Sequence, residues 1–194
     1  MENKEKTLLI IRELRMDCSK KQKKGLHFII TSVIIWAVIF TIHMTTLPIL
    51  TKNLYTFCCS AVLFPIAYLI SKIIKVDFQN KDNPLTGLGI LFSVNQMLYI
   101  LIAMWVYAAM PDKMVMIYAM IFGAHLLPYG WMYQSKSYYV LSVSIPVVML
   151  VIGLQYPAST IAVIMFLIEI IFSICLIIEV KQLNVLEERT NKNY

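Results

Sequence analysis

The chain reads as an all-α integral membrane protein, a bundle of six transmembrane helices with a short amphipathic N-terminal helix, and three observations lead there. Of its 194 residues, 59 % are hydrophobic and only 14 % are charged, too little polar surface to cover a water-soluble globule of this size. The apolar residues fall in runs of about 20, the length a helix needs at 1.5 Å per residue to cross a hydrocarbon layer roughly 30 Å thick. The 17 Lys and Arg residues avoid those runs and gather in alternate gaps between them.

Residues 1–25 form a charged segment. Within it Leu8, Ile11, Leu14 and Cys18 recur at helical spacing beside Arg12, Glu13, Arg15 and Asp17, the pattern of an amphipathic helix lying on a membrane surface. Lys20, Lys21, Lys23 and Lys24 follow as a basic cluster expected to meet anionic headgroups, at about 1 kcal/mol per residue. The first span runs over 26–47 and ends before Pro48, and the second runs over 54–74 with Pro65 inside it. The third, 87–110, is closed by Pro111-Asp112-Lys113, a turn so short that the fourth, 114–133, must return antiparallel. The fifth covers 138–156, and Pro157 and Ala158 lead into the sixth, 159–178. A polar tail, 179–194, follows.

Basic residues in short connections are retained in the cytoplasm. Fifteen fall on one side of the six-span reading, eight of them before the first span, and only Lys52 and Lys113 on the other. Both termini are therefore expected to be cytoplasmic. The first run begins after 25 charged residues and is too long for a signal-peptide core, so it reads as a retained anchor. A net charge of +6 with no soluble domain beside it argues against nucleic-acid binding.

No extramembrane segment is long enough to bury a core of its own, so chemistry is confined to the bundle or to a partner. Gly-x4-Gly-Lys, His-Glu-x-x-His, Gly-x-Ser-x-Gly and Cys-x-x-Cys are all absent, which leaves nucleotide hydrolysis, zinc chemistry and serine catalysis without support. No cofactor or metal is expected. Cys18 and His27 lie nine residues apart, but the Gly-rich His loop closely followed by Cys of peptide-processing membrane proteases is missing. An enzyme is not expected.

What remains is the polar residues inside the spans. Glu169 is the one acidic residue near the centre of any of them, and an ionised carboxylate there costs about 2.5–3.5 kcal/mol on insertion scales. It is expected to face other helices, either as a functional acid or as a carboxyl that holds helices together. His125 precedes Pro128, whose ring frees a backbone carbonyl one turn earlier. Tyr118, His125 and Tyr129 share a face, while Ala119 and Gly123 offer a separate small-residue face for close helix packing. Asn95 and Gln96 add neutral polar groups to the third span, where Gly89, Ser93, Gln96, Ala103 and Tyr107 form a stripe. His27 and His43 sit at opposite ends of the first span, where interfacial water can satisfy them.

Counted from the cytoplasmic helix ends, Asn95 and His125 lie roughly 13 Å deep and Glu169 roughly 16 Å, with Pro65 and Pro146 in the same layer. A midplane layer of polar groups and helix breaks is characteristic of solute and ion sites in transporters. A faint echo between 63–72 and 126–136, each with a proline ahead of a lysine, is compatible with a duplicated hairpin.

The run Lys20 to Phe28, Lys81-Asp82-Asn83-Pro84-Leu85 and the segment Gly123 to Trp131 resemble an uncharacterised family of small multi-pass membrane proteins from Bacillus-like bacteria. The resemblance covers most of the chain and implies a bacterial plasma membrane location, with no activity to carry over. The expectation is a carrier of a small solute or ion, proton-linked through Glu169, with Asn95, Gln96, His125 and Tyr129 lining its site. The alternative is a non-enzymatic sensor or partner subunit that contacts another protein or anionic lipid.

Overall fold

The computed structural model describes residues 2–192, and within them the chain forms eight α-helices and no strand. These are α1 (Glu2–Lys21), α2 (Leu26–Met44), α3 (Ile49–Ala61), α4 (Leu63–Ile73), α5 (Leu85–Ala109), α6 (Met114–Met132), α7 (Lys136–Gln155) and α8 (Ala158–Lys192). Five of them, α2 and α5 to α8, are long and apolar enough to cross a membrane, and counting α3 with α4 as one bent span makes six.

That bent pair corrects the second span. Instead of one helix over 54–74, the chain starts α3 directly after Pro48 and breaks at Val62, where α4 departs at 42°. Pro65 explains the position. Its ring clashes with the carbonyl of the residue four earlier, Ala61, which is the last residue of α3. Pro65 itself then falls in the first turn of α4, where a missing N–H costs nothing. Pro128 and Pro146 break nothing: α6 and α7 run through them without interruption.

The sixth span also differs from expectation. No helix end occurs at Ile178, and α8 continues as one helix to Lys192. Its 35 residues reach about 52 Å, longer than the roughly 30 Å of a hydrocarbon layer. The placement of the tail's last two residues lies outside the described part.

The core forms where α2 packs on α8 and α6 on α7. Trp36, Ile39, Met165, Phe172 and Leu176 are fully buried between these helices. The small-residue face expected on α6 is the seam with α7. A Cβ placed on Gly123 would lie 2.6 Å from Ile145 and 2.7 Å from Pro146, so only glycine permits this approach. By contrast α5 packs chiefly on α6 and buries only Ala103 and Val106 among its 25 residues.

The amphipathic segment is a helix, but only its first half is free. Residues 3–10 are exposed, whereas Cys18, Ser19 and Gln22 are buried against the end of the bundle. Arg15 donates to the Trp131 carbonyl at 2.7 Å and lies over the Trp131 ring, and Ser19 donates to the Tyr133 carbonyl at 2.8 Å. Asp17 collects Asn80 and Asn83 from the α4–α5 loop at 2.9 and 2.7 Å, together with Lys21 at 3.0 Å. These bonds hold the Asp17 carboxyl below its usual range despite the opposing effect of burial.

The basic cluster is largely engaged in the same joint. Lys23 donates to the Ile74 carbonyl at 2.5 Å, and buried Lys24 pairs with Glu179 at 2.7 Å across α8. Glu179 in turn accepts from the backbone and hydroxyl of Ser137. Lys21 bonds Asp17 and Asn80, so at least three of the four lysines serve the chain's own groups.

Candidate functional site

Between α2, α3, α4, α5 and α6 lies a cavity of about 540 Å³. α3 and α4, on either side of the break at Val62, form one wall, and α4 packs chiefly on α2. On α6 the lining runs from Tyr118 to Tyr133, fifteen steps of 1.5 Å, so the cavity extends about 22 Å along the helices. Its walls are mainly aromatic and aliphatic, with Phe28, Phe57, Phe64, Phe122 and Met104 among them. No Asp, Glu, Lys or Arg among the described residues lines it.

Three of the five predicted site residues meet there. Gln96 from α5 and His125 and Tyr129 from α6 all line the cavity, as does Tyr118 on the face predicted to carry it. The Tyr129 hydroxyl meets the Ser93 hydroxyl at 2.7 Å and lies 3.0 Å from the Gly89 carbonyl, which fixes the register of the antiparallel α5–α6 pair. Three residues on in α5 and four back in α6 then bring Gln96 and His125 to one level. Farther along, Ser60 and Tyr118 pair at 2.5 Å beside the break in the second span.

Gln96 makes no hydrogen bond within the described protein, so its amide offers donors and an acceptor to whatever fills the cavity. The His125 Nδ1 lies against the Phe122 carbonyl, which can only accept; Nδ1 therefore carries the proton, and Nε2 of the neutral ring is an acceptor. The ring is held edge-on between Phe122 and Tyr129.

Asn95 and Glu169 are not part of this wall. Asn95 is exposed on the outer face of α5, one position off the stripe that holds Ser93 and Gln96. Glu169 is fully buried between α8 and α2, with its Oε2 on the Ser32 hydroxyl and no hydrogen-bond partner for Oε1. Ser32 lines the cavity, so one residue separates Glu169 from it. Depth along the chain placed these residues in one layer, but only packing decides which side of a helix each one takes.

The remaining histidines, expected to meet interfacial water, are both buried. His43 bonds Thr56 at 3.2 Å, whereas His27 is 2 % exposed, has no hydrogen-bond partner for either nitrogen, and sits against the rings of Phe28 and Phe78. Water at the membrane surface does not reach it in this arrangement. Cys18 is fully buried, and burial pushes its thiol up, opposite to what a thiolate nucleophile requires. No group of three metal-ligating side chains occurs among the described residues.

Sequence reasoning passed over Ser32 and Ser60 and gave Ser93 only a place in the stripe on the third span. A serine in an apolar helix is unremarkable alone, and here Ser93 and Ser60 matter because a tyrosine hydroxyl from α6 faces each of them. The proline in the second span was the available signal for the break that opens the wall.

No curated protein and no solved structure matches this chain. A family of unknown function, DUF7010, matches residues 11–179, a range that holds all eight helices in whole or in part and every residue of the cavity wall. The chain belongs to that family of unknown function.

Proposed function

We propose that this protein is a membrane carrier of a small, uncharged, mostly apolar solute, held in the α2–α6 cavity by Gln96 and His125. The observation that carries the reading is a cavity of about 540 Å³ without a charged wall but with two unengaged hydrogen-bonding groups at one level. Ligand pockets of this size are mainly apolar, with a few placed polar groups that set orientation. An ion would find no compensating charge there, and desolvating it in such a site is prohibitive. Geometry therefore favours the solute over the ion. An acceptor at Nε2 beside the Gln96 amide suits a solute that carries a hydroxyl or an amide N–H.

The charge bias supports a plasma membrane orientation with both termini in the cytoplasm. The Lys24–Glu179 pair joins the start of α2 to α8 near the end of its apolar stretch, as an even number of spans requires. The exposed half of α1, with Leu8, Leu9 and Ile10 beside Lys4 and Lys6, fits contact with anionic headgroups. The same half favours the second reading, a sensor or partner subunit. Removing residues 1–10 should then release a co-purifying partner, and retention of that partner would count against this contact.

The test of the first reading uses aromatic alcohols and the matching carboxylates, followed by tryptophan fluorescence in lipid nanodiscs. Trp36 packs on Tyr118 and Phe122 at the cavity wall, so filling the cavity should alter its emission. The neutral members should bind, and the anions should bind at least tenfold more weakly. Gln96→Leu and His125→Phe should each weaken binding by about 2- to 10-fold, the worth of one hydrogen bond of roughly 0.5–1.5 kcal/mol. Equal binding of neutral and anionic members, or no loss in either variant, would refute the reading.

A further inference from the structure

The Ser32 hydroxyl has one proton and two claims on it. It lies 2.7 Å from the Ile29 carbonyl and also bonds Glu169 Oε2. A carbonyl oxygen can only accept, so the Ser32 proton belongs to Ile29 whenever that bond is made. The bond to Glu169 is then complete only if the carboxyl carries a proton and donates it to Ser32 Oγ. An ionised Glu169 could take the Ser32 proton only if the hydroxyl turned from Ile29, and its Oε1 would still face no donor in a fully buried site, with no cation bonded to the carboxylate among the described residues.

The surroundings agree. Glu169 Oε1 has no partner, and neither does the hydroxyl of Ser173, which is one turn farther along α8 on the same face and 8 % exposed. The elements packed on α8 bring little charge to this level. On α7, the Tyr138 hydroxyl is committed to the Lys24 carbonyl. On α2, His27 lies beyond Ser32 toward the start of the helix, against Phe28 and Phe78. His125 and Tyr129 of α6 line the cavity, Lys24 is paired with Glu179, and on α1 the Asp17 carboxyl is engaged by Asn80, Asn83 and Lys21.

From this hydrogen count we infer that Glu169 is a proton-carrying acid whose proton exchanges with the α2–α6 cavity through Ser32. Among the described residues, Ser32 is the one group that both bonds the carboxyl and lines the cavity. In the exchange its hydroxyl turns from Ile29 to a water in the cavity, gives that water its proton, and takes the proton of Glu169. The carboxylate left behind is restored by the reverse steps. This deepens the carrier reading by naming the group that would link it to protons, and it rests on the cavity being there but not on which solute fills it.

Infrared spectroscopy of the full-length protein in lipid nanodiscs tests it without any solute, so a failed solute assay and a failed proton assignment are separable. With glutamate carboxyls labelled with carbon-13, a protonated-carboxyl stretch that shifts on labelling should be present at neutral pH and absent from Glu169→Gln. In heavy water the band should shift within minutes. Ser32→Ala should slow that shift at least tenfold, while Ser32→Thr, which keeps the hydroxyl, should exchange at the wild-type rate. Absence of the band means an ionised Glu169 and overturns the proposal. A band that never exchanges means a sealed structural acid, and wild-type exchange in Ser32→Ala means another route; both overturn it as well. Should Glu169→Gln fail to fold, Glu169→Asp must displace the labelled band, and an unmoved band would sink the assignment.

Discussion

Replacing Gly123 with alanine sets two known effects against each other. In a helix interior Gly→Ala gains about 1 kcal/mol from backbone propensity. Here the new Cβ would stand 2.6 Å from Ile145 Cγ2 and 2.7 Å from Ile145 Cβ and Pro146 Cδ. Ordinary contact begins near 3.4 Å, so the seam must open by about 0.7–0.8 Å. Neither neighbour yields readily, because Ile145 is β-branched and stiff at χ1 and Pro146 is a closed ring. Overpacking of this kind costs about 1–3 kcal/mol, which outweighs the propensity gain, so the expected net loss is up to about 2 kcal/mol. Gly87→Ala is the control: nothing lies within 4 Å of its added Cβ, and it should gain up to about 1 kcal/mol. Equilibrium unfolding in mixed micelles, measured for both variants against the parent, reads the difference. Because α6 also aims His125 and Tyr129 into the cavity, Gly123→Ala should weaken neutral-solute binding as the helix shifts. A Gly123→Ala protein as stable as Gly87→Ala would show that the α6–α7 seam is looser than described.

Two further predictions concern the charged joint where α1 docks on the end of the bundle. Lys24→Met leaves Glu179 partly buried beside Ser137 without its cation and should cost about 3–5 kcal/mol, whereas Lys24→Met with Glu179→Gln should recover most of that loss; unfolding midpoints of the three variants decide it. The folded-state value of Asp17 is depressed, so its contribution to α1 docking is present above its unfolded value near 3.8 and is lost as pH falls through the lower folded value. Amide exchange across residues 11–21 should therefore accelerate at acid pH in the parent protein and already be fast at neutral pH in Asp17→Ala. Equal protection in the variant at neutral pH would remove Asp17 from the joint.

Helix positions along the chain were legible because lipid imposes them. An apolar run of about 20 residues has few alternatives to a helix when the backbone must satisfy its own hydrogen bonds, and α2, α5, α6 and α7 begin and end within three residues of the runs that announced them. The face shared by Tyr118, His125 and Tyr129 was readable for the same reason, since 3.6-residue periodicity fixes relative angles on one helix. The periodicity does not say which neighbour a face meets. Asn95 and Gln96 are adjacent and equally polar, yet one faces outward and the other the cavity.

What the sequence by itself determined was a set of apolar helices and, for α2, α5, α6 and α7, their approximate ends, consequences of local hydrogen bonding and of the distribution of apolar and charged residues. Tertiary structure decided the rest. Pro65 could have kinked the second span or passed without effect, as Pro128 and Pro146 do; the helix breaks ahead of it, and α4 turns onto α2 while both halves line the cavity. Lysines 21, 23 and 24, which the charge pattern would place among lipid headgroups, bond carbonyl and carboxylate groups of the chain itself, 51 to 155 residues away, and Lys24 is buried in doing so. Glu169 was picked out by its expected cost in lipid, but only the tertiary structure sets Ser32 of α2 against its carboxyl, because that contact joins residues 137 positions apart.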